Sequence, residues 1–269
     1  MKKFKKLIVI FIMIIFIVGL IWSITNIILW NNDNSKTNKI INDIQDKIKI
    51  DEKIDNPNTE IVNQDSDIDT SNPYWDYIKM NLISVDFNEL KQTNNDTKGW
   101  IQVNGTNINY PFVQSGDNNY YLTHSFDKSY NSAGWIFLDY RNDINNLNKN
   151  TIIYAHGRYD GTMFGSLKNI LSSGWLNNSD NYIVRLSTET ENSLWQVFSV
   201  YKIPTTNDYL QTDFNDDEFK NFTDMLINRS SFDFNTNLNE NDKILTLSTC
   251  YNDNEKVVLH AKLIKRELK

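Results

Sequence analysis

Cys250 is the only cysteine among 269 residues. A thiolate is a strong nucleophile and can carry an acyl group as a thioester, provided an imidazole within hydrogen-bonding reach supplies and removes protons. Three histidines are available for that role: His124, His156 and His260. The plain alternative for Cys250 is a small buried hydrophobe, because free cysteines are among the most buried residues. The elements around these side chains discriminate between the two readings.

Ile244 to Cys250 reads as a strand, with Ile244, Thr246, Ser248 and Cys250 on one face and Leu245, Leu247 and Thr249 on the other. The thiol therefore ends a rigid element where a loop begins. If Tyr251 to Glu255 form that loop, Cys250 pairs near Lys256. His260 then lies four residues further along, about 13 Å away at about 3.3 Å per residue, too far for proton transfer. His156 ends the strand-like run Thr151 to Ala155 and opens the loop Gly157 to Gly161, so it and Cys250 can meet at one rim of a barrel. His124 follows Tyr120 to Thr123 and reads as a surface or packing residue. Asp253 and Glu255 could orient a cation in the site, although charged loop residues are usually just solvated.

The rest of the chain divides by composition. Lys2, Lys3, Lys5 and Lys6 (residues 1–6) precede an uncharged apolar run, 7–30, that spans about 36 Å as a helix and so suits a membrane anchor. A cleaved signal peptide competes, but the run is too long and no small-x-small site follows. The lysines predict a cytoplasmic N-terminus and an exported remainder. Residues 31–72 are rich in Asn, Asp, Lys and Ser; the isoleucines at 40, 41, 44, 48 and 50 could mark a short amphipathic helix but hardly a core, and the stretch reads as a mostly solvated stalk. From Pro73 to Lys269 the aromatic content rises, and short strands are expected at 100–103, 108–113, 120–122, 134–138, 151–155, 182–186, 194–201, 243–250 and 256–264. Helical pieces are expected at 74–83, 85–90, 163–171 and 216–228. Many short strands with few helices favour a closed barrel, mainly β with peripheral helices. The formal charge is −7; the first 32 residues hold only the four lysines, so the remainder carries −11 and offers no footprint for nucleic acid. No metal-ligand spacing and no Gly-rich phosphate loop occur, so neither metal nor cofactor is implied.

The strings TIIYAHGRYDGTMFGSLKNI (151–170) and TLSTC (246–250) resemble the histidine and cysteine motifs of sortases, class B in particular. GWIQVNGTNINYPFVQSGDNNYYL (99–122), GWIFLDYRN (134–142) and VVLHAKL (257–263) extend the resemblance over roughly 74–266. It implies a sortase-like closed barrel of about eight strands, N-terminal helices and a helix inserted before the cysteine strand. It also implies that Cys250 is the nucleophile and His156 its acid/base partner in a membrane-anchored cysteine transpeptidase. Such an enzyme cleaves a C-terminal sorting signal of surface proteins and passes the acyl group to an amine of the cell-wall precursor (lipid II-like) or to a pilin lysine, at the outer surface of a Gram-positive cell. Ser248 and Thr249 would shape the substrate groove. The family's third residue is an arginine, and aligning the terminal AKL puts Lys256 in its place. Either Lys256 does the arginine's work, or the hairpin shifts so that Arg266 or Arg158 reaches in, or the enzyme is weak. The rival functions are a surface cysteine protease or amidase that uses water, and a domain that binds sorting signals with little turnover.

Overall fold

The computed structural model describes residues 2–62, 69 and 71–269. Eight strands close into a barrel: β4 (Thr97–Val103), β5 (Asn109–Val113), β6 (Phe137–Leu138), β7 (Asn150–Tyr154), β8 (Ile183–Thr188), β9 (Glu191–Pro204), β10 (Ile244–Cys250) and β11 (Glu255–Leu268). Their order is β10-β7-β6-β5-β4-β8-β9-β11, and pairing of β10 with β11 completes the ring. Closure removes the free edges that an open sheet would expose. The expected mainly β architecture of about eight strands is what forms. Neighbours are antiparallel except β5 with β6 and β10 with β7, which run parallel. The β4–β5 hairpin turns at Gly105, whose φ of +69° suits a residue without a side chain.

The alternation along β10 sorts its side chains between two apolar layers. Leu245 and Leu247 join the main core with Trp100, Phe112, Trp195 and Leu259. Ile244 joins a second cluster with Val258, Tyr201, Tyr209, Phe219, Phe222 and Leu226. The last three belong to the inserted helix Asp216–Arg229, which begins at a capping box. The Asn215 side chain accepts from the Glu218 amide at 2.9 Å, and the Glu218 carboxylate accepts from the Asn215 amide at 3.0 Å. Burial of each of its large apolar side chains contributes about 1.5–3 kcal/mol. This helix packs beside Ile244 at the start of β10, and the stretch that leads into it supplies Tyr209 and Leu210 to the cleft at the other end of that strand.

Three expectations from sequence need correction. Tyr120–Leu122 is a 3-10 turn rather than a strand. The helix at Tyr74–Tyr77 stops early, and Leu82 and Ile83 lie in β3 (Leu82–Val85). The largest difference concerns 31–62. One helix runs from Lys2 to Lys47, its first 30 described residues exposed, and its later turns bury Thr37, Ile41 and Ile44 against the domain. Beyond it, β1 (Ile50–Lys53) pairs with β3, and β2 (Thr59–Ile61) adds to β11. The described part of the expected stalk, 31–62, is therefore folded onto the barrel, while its residues 63–68 and 70 lie outside the described residues.

Candidate active site

Cys250 is the last residue of β10 and is half-buried. The β10–β11 register sets it directly opposite Lys256, and the Lys256 ammonium donates to the Cys250 sulfur at 2.9 Å. A charged donor at hydrogen-bonding distance is the partner a thiolate requires.

The histidine comes from the neighbouring parallel strand. Ser248 pairs with Tyr154, and the Thr249 hydroxyl donates to the Ala155 carbonyl at 2.8 Å. Continuing that register places His156 beside Cys250, one strand spacing of about 4.8 Å away between backbones. Gly157 confirms the closeness: a Cβ there would lie 2.1 Å from the Cys250 carbonyl oxygen. The His156 Nε2 atom bonds the Leu122 carbonyl at 2.8 Å. A carbonyl only accepts, so Nε2 carries a proton and Nδ1 is the nitrogen left for proton exchange.

These groups line one cleft of about 420 Å³. It includes Cys250, His156, Lys256, Ser248 and Thr249, with Leu122, Phe137, Tyr154, Tyr209 and Leu210 supplying apolar walls. The Ser248 hydroxyl pairs with the Tyr209 phenol at 3.0 Å, and burial pushes that phenol above its ordinary range, so it stays neutral. Ser248 and Thr249 thus both sit in the cleft, but Thr249 spends its hydroxyl on the backbone of Ala155.

The other candidates lie elsewhere. His260 is fully buried opposite Thr246. The Thr246 hydroxyl donates to Asn150 at 2.7 Å, so it accepts from His260 Nδ1 at 2.8 Å, and Nε2 in turn accepts from the Tyr201 hydroxyl at 2.9 Å. His124 stacks on Tyr120 with ring centres 4.0 Å apart and bonds its carbonyl. The Arg158 guanidinium binds Asn34 and Asp160, while Arg266 binds Glu60 at 2.9 Å. Neither arginine is at Cys250; Lys256 is. Glu255 engages Lys202 at 2.7 Å rather than Lys256, and Asp253 is exposed.

The sequence and the fold both match known proteins. The family described as Sortase domain matches residues 101–264. The chain belongs to the sortase family. This sortase is 38% identical to sortase B of Staphylococcus aureus over 184 residues, which cover 66% of this chain and 75% of that one. The S. aureus sortase B–substrate complex superimposes with a TM-score of 0.62 at 37% identity, over 66% of this chain and 84% of the other. A sortase B solved in complex with triglycine gives 0.63 at 36% identity, over 66% and 85%. The chain is accordingly a cysteine transpeptidase with a sortase B likeness.

Sequence reasoning did not single out the Leu122 carbonyl, Gly157 or Tyr209. The first two act through backbone atoms and leave no side-chain signature. Tyr209 sits in an irregular stretch, 205–215, where no periodicity marks it.

Proposed function

We propose that this sortase is anchored by residues 7–30 with residues 1–6 inside the cell. It cleaves a C-terminal sorting signal of surface proteins through a thioester at Cys250 and transfers the acyl group to an amine of the cell-wall precursor or a pilin lysine. The observation that carries the reading is the Lys256 contact to the Cys250 sulfur, in a peptide-sized cleft that His156 also lines.

In the first step the Cys250 thiolate attacks the scissile carbonyl carbon. Protonated His156 gives its Nδ1 proton to the departing amine as the carbon–nitrogen bond breaks, and a thioester remains. An incoming amine attacks that thioester, neutral His156 takes its proton, and sulfur leaves as thiolate. Lys256 offsets the negative charge on sulfur and offers a donor to the developing oxyanion. Lysine does this as a point charge, less directionally than an arginine fork. Two solved relatives support the two halves of the reaction, one holding a substrate and the other triglycine.

The test uses the full-length protein in detergent with a panel of sorting-signal peptides, with and without triglycine, and mass spectrometry of the products. A peptide joined to triglycine, absent in Cys250→Ala and His156→Ala, supports transpeptidation and identifies the signal. Cleavage with no joined product would mean a protease that uses water, and no Cys250-dependent product would mean a binding domain.

A further inference from the structure

The N-terminal helix does not simply leave the membrane; within one turn it is fastened to the two loops that flank the catalytic histidine. The Asp33 carboxylate accepts from the Ser132 amide at 3.2 Å and from its hydroxyl at 2.5 Å. The buried Asn131 amide donates to the Asp33 carbonyl at 3.2 Å and to the Thr37 hydroxyl at 3.0 Å. On the other side, the Arg158 guanidinium donates to the Asn34 side chain, and Asp160 lines an open cleft together with Trp30 and Asn34. Both loops touch His156. A Cβ at Gly134, two residues past Ser132, would lie 3.1 Å from its ring, and Gly157 follows it in sequence.

The heights follow from helix geometry. Asp33 is three residues past Trp30, the end of the apolar run, which is about 5 Å along the axis; Thr37 is about 10 Å along. The headgroup layer on each side of a bilayer is roughly 5–8 Å thick. Loops bonded to Asp33 and Asn34 are therefore at headgroup depth. Each carries one outward aromatic, Tyr130 at 68% and Tyr159 at 95% exposure. An aromatic ring with a polar tip is the side chain enriched at that depth. Charge does not bring the domain there, since the chain beyond residue 32 carries −11 and is repelled by anionic lipid. A fixed helical strut does.

We propose that the loops carrying Tyr130 and Tyr159 lie in the lipid headgroup layer, and that the clamp formed by Asp33, Asn34 and Thr37 holds the His156 side of the Cys250 cleft at that level. The partner is the bilayer surface. The inference rests on the membrane anchoring proposed above. Asp33, Asn34 and Thr37 are then positioning residues for membrane-borne acceptors and have no part in the chemistry itself.

The test uses the full chain reconstituted in phosphatidylcholine vesicles containing headgroup spin-labelled lipid. In the Cys250→Ala background, an environment-sensitive fluorophore is placed at Tyr159→Cys and, as a distant control beyond the other end of β10, at Glu240→Cys. The label at 159 is expected to be quenched at least threefold more than that at 240, and Asp33→Ala/Asn34→Ala/Thr37→Ala should remove the difference. In protein that retains Cys250, the same triple substitution should leave transfer to triglycine in water within twofold, while transfer to triglycine on a phospholipid falls at least tenfold. Equal quenching at both sites in vesicle-inserted protein overturns the proposal, as does an equal loss with both acceptors. Release of the protein from vesicles by alkaline carbonate would instead overturn the anchoring itself, leaving transfer to soluble triglycine as the separate measure of the enzymatic reading.

Discussion

Lys256 contacts the Cys250 sulfur, and its side chain is the one whose removal tests the site most sharply. Lys256→Ala is expected to lower kcat/KM for acyl transfer at least tenfold, since losing one donor to a developing oxyanion typically costs about 10²–10³ in rate. Lys256→Arg should keep most of the activity. Equal rates for wild type and the alanine variant would remove Lys256 from the mechanism. Gly157 tests the packing between the ends of β7 and β10. A methyl group there meets the Cys250 carbonyl, which is backbone and cannot swing aside, so Gly157→Ala should cost at least tenfold in rate; an undiminished rate would show that the strand ends are looser than described. The pairing of Cys250 with Lys256 was legible from the chain because a short hairpin loop sets register by counting alone. The choice of His156 from sequence leaned on motif resemblance, since the parallel contact of β7 with β10 joins segments some 94 residues apart and no local pattern records it.

At the level of elements, β10 does two jobs through its two faces. One face fills the barrel, and the other carries the Thr246–His260–Tyr201 network under the inserted helix before ending in the thiol. Burial first, and the Arg229 guanidinium second, push His260 from 6.5 down to about 3. Its folded form is thus neutral while the unfolded histidine protonates below 6.5. The sign follows: the contribution is fully present above pH 6.5 and is lost as pH falls from there toward 3. The urea midpoint of the wild-type protein should therefore drop between pH 7 and pH 4. His260→Gln should be less stable at pH 7 but show a shallower drop; parallel slopes would contradict this account. The period of two along Ile244 to Cys250 was visible in the sequence, as was the inserted helix, with Phe219, Phe222, Met225 and Leu226 spaced to share one face. Tyr120–Leu122 was not, because three large apolar residues in a row suit a strand and a 3-10 turn equally. Only the bonding of the surrounding loop, with Asp117 accepting from the Asn119 and Tyr120 amides, decides the case.

For the whole molecule, the surprise is how much of 31–62 belongs to the folded unit. The isoleucines at 40, 41, 44, 48 and 50 read as a short amphipathic helix but hardly as core, whereas Thr37, Ile41 and Ile44 are buried on one helix face against the domain, and two strands were too short to read. These additions also complete buried chemistry: the ammonium of Lys265, whose side chain is fully buried, pairs with Asp55 at 2.7 Å. A soluble form beginning at Pro73 leaves that ammonium without its carboxylate and uncovers β3. Its Tm is expected to lie at least about 5 °C below that of a form beginning at Asn31, given about 2–4 °C per kcal/mol for a domain of this size. Equal Tm values would show that the segment is peripheral after all. The barrel itself was foreseeable from many short strands and few helices, whereas the docking of the N-terminal helix depends on a handful of side-chain hydrogen bonds that composition does not reveal.

In the proposed reaction the Cys250 sulfur carries the acyl group between donor and acceptor. Intact-mass spectrometry of the full-length protein, quenched in acid soon after mixing with a cleaved sorting-signal peptide, measures this directly. The expected result is an adduct equal to the acyl half of the peptide, mapped to Cys250, that builds up without amine and vanishes when triglycine is added. Turnover of the peptide with no adduct on Cys250, or an adduct that triglycine leaves in place, would contradict it.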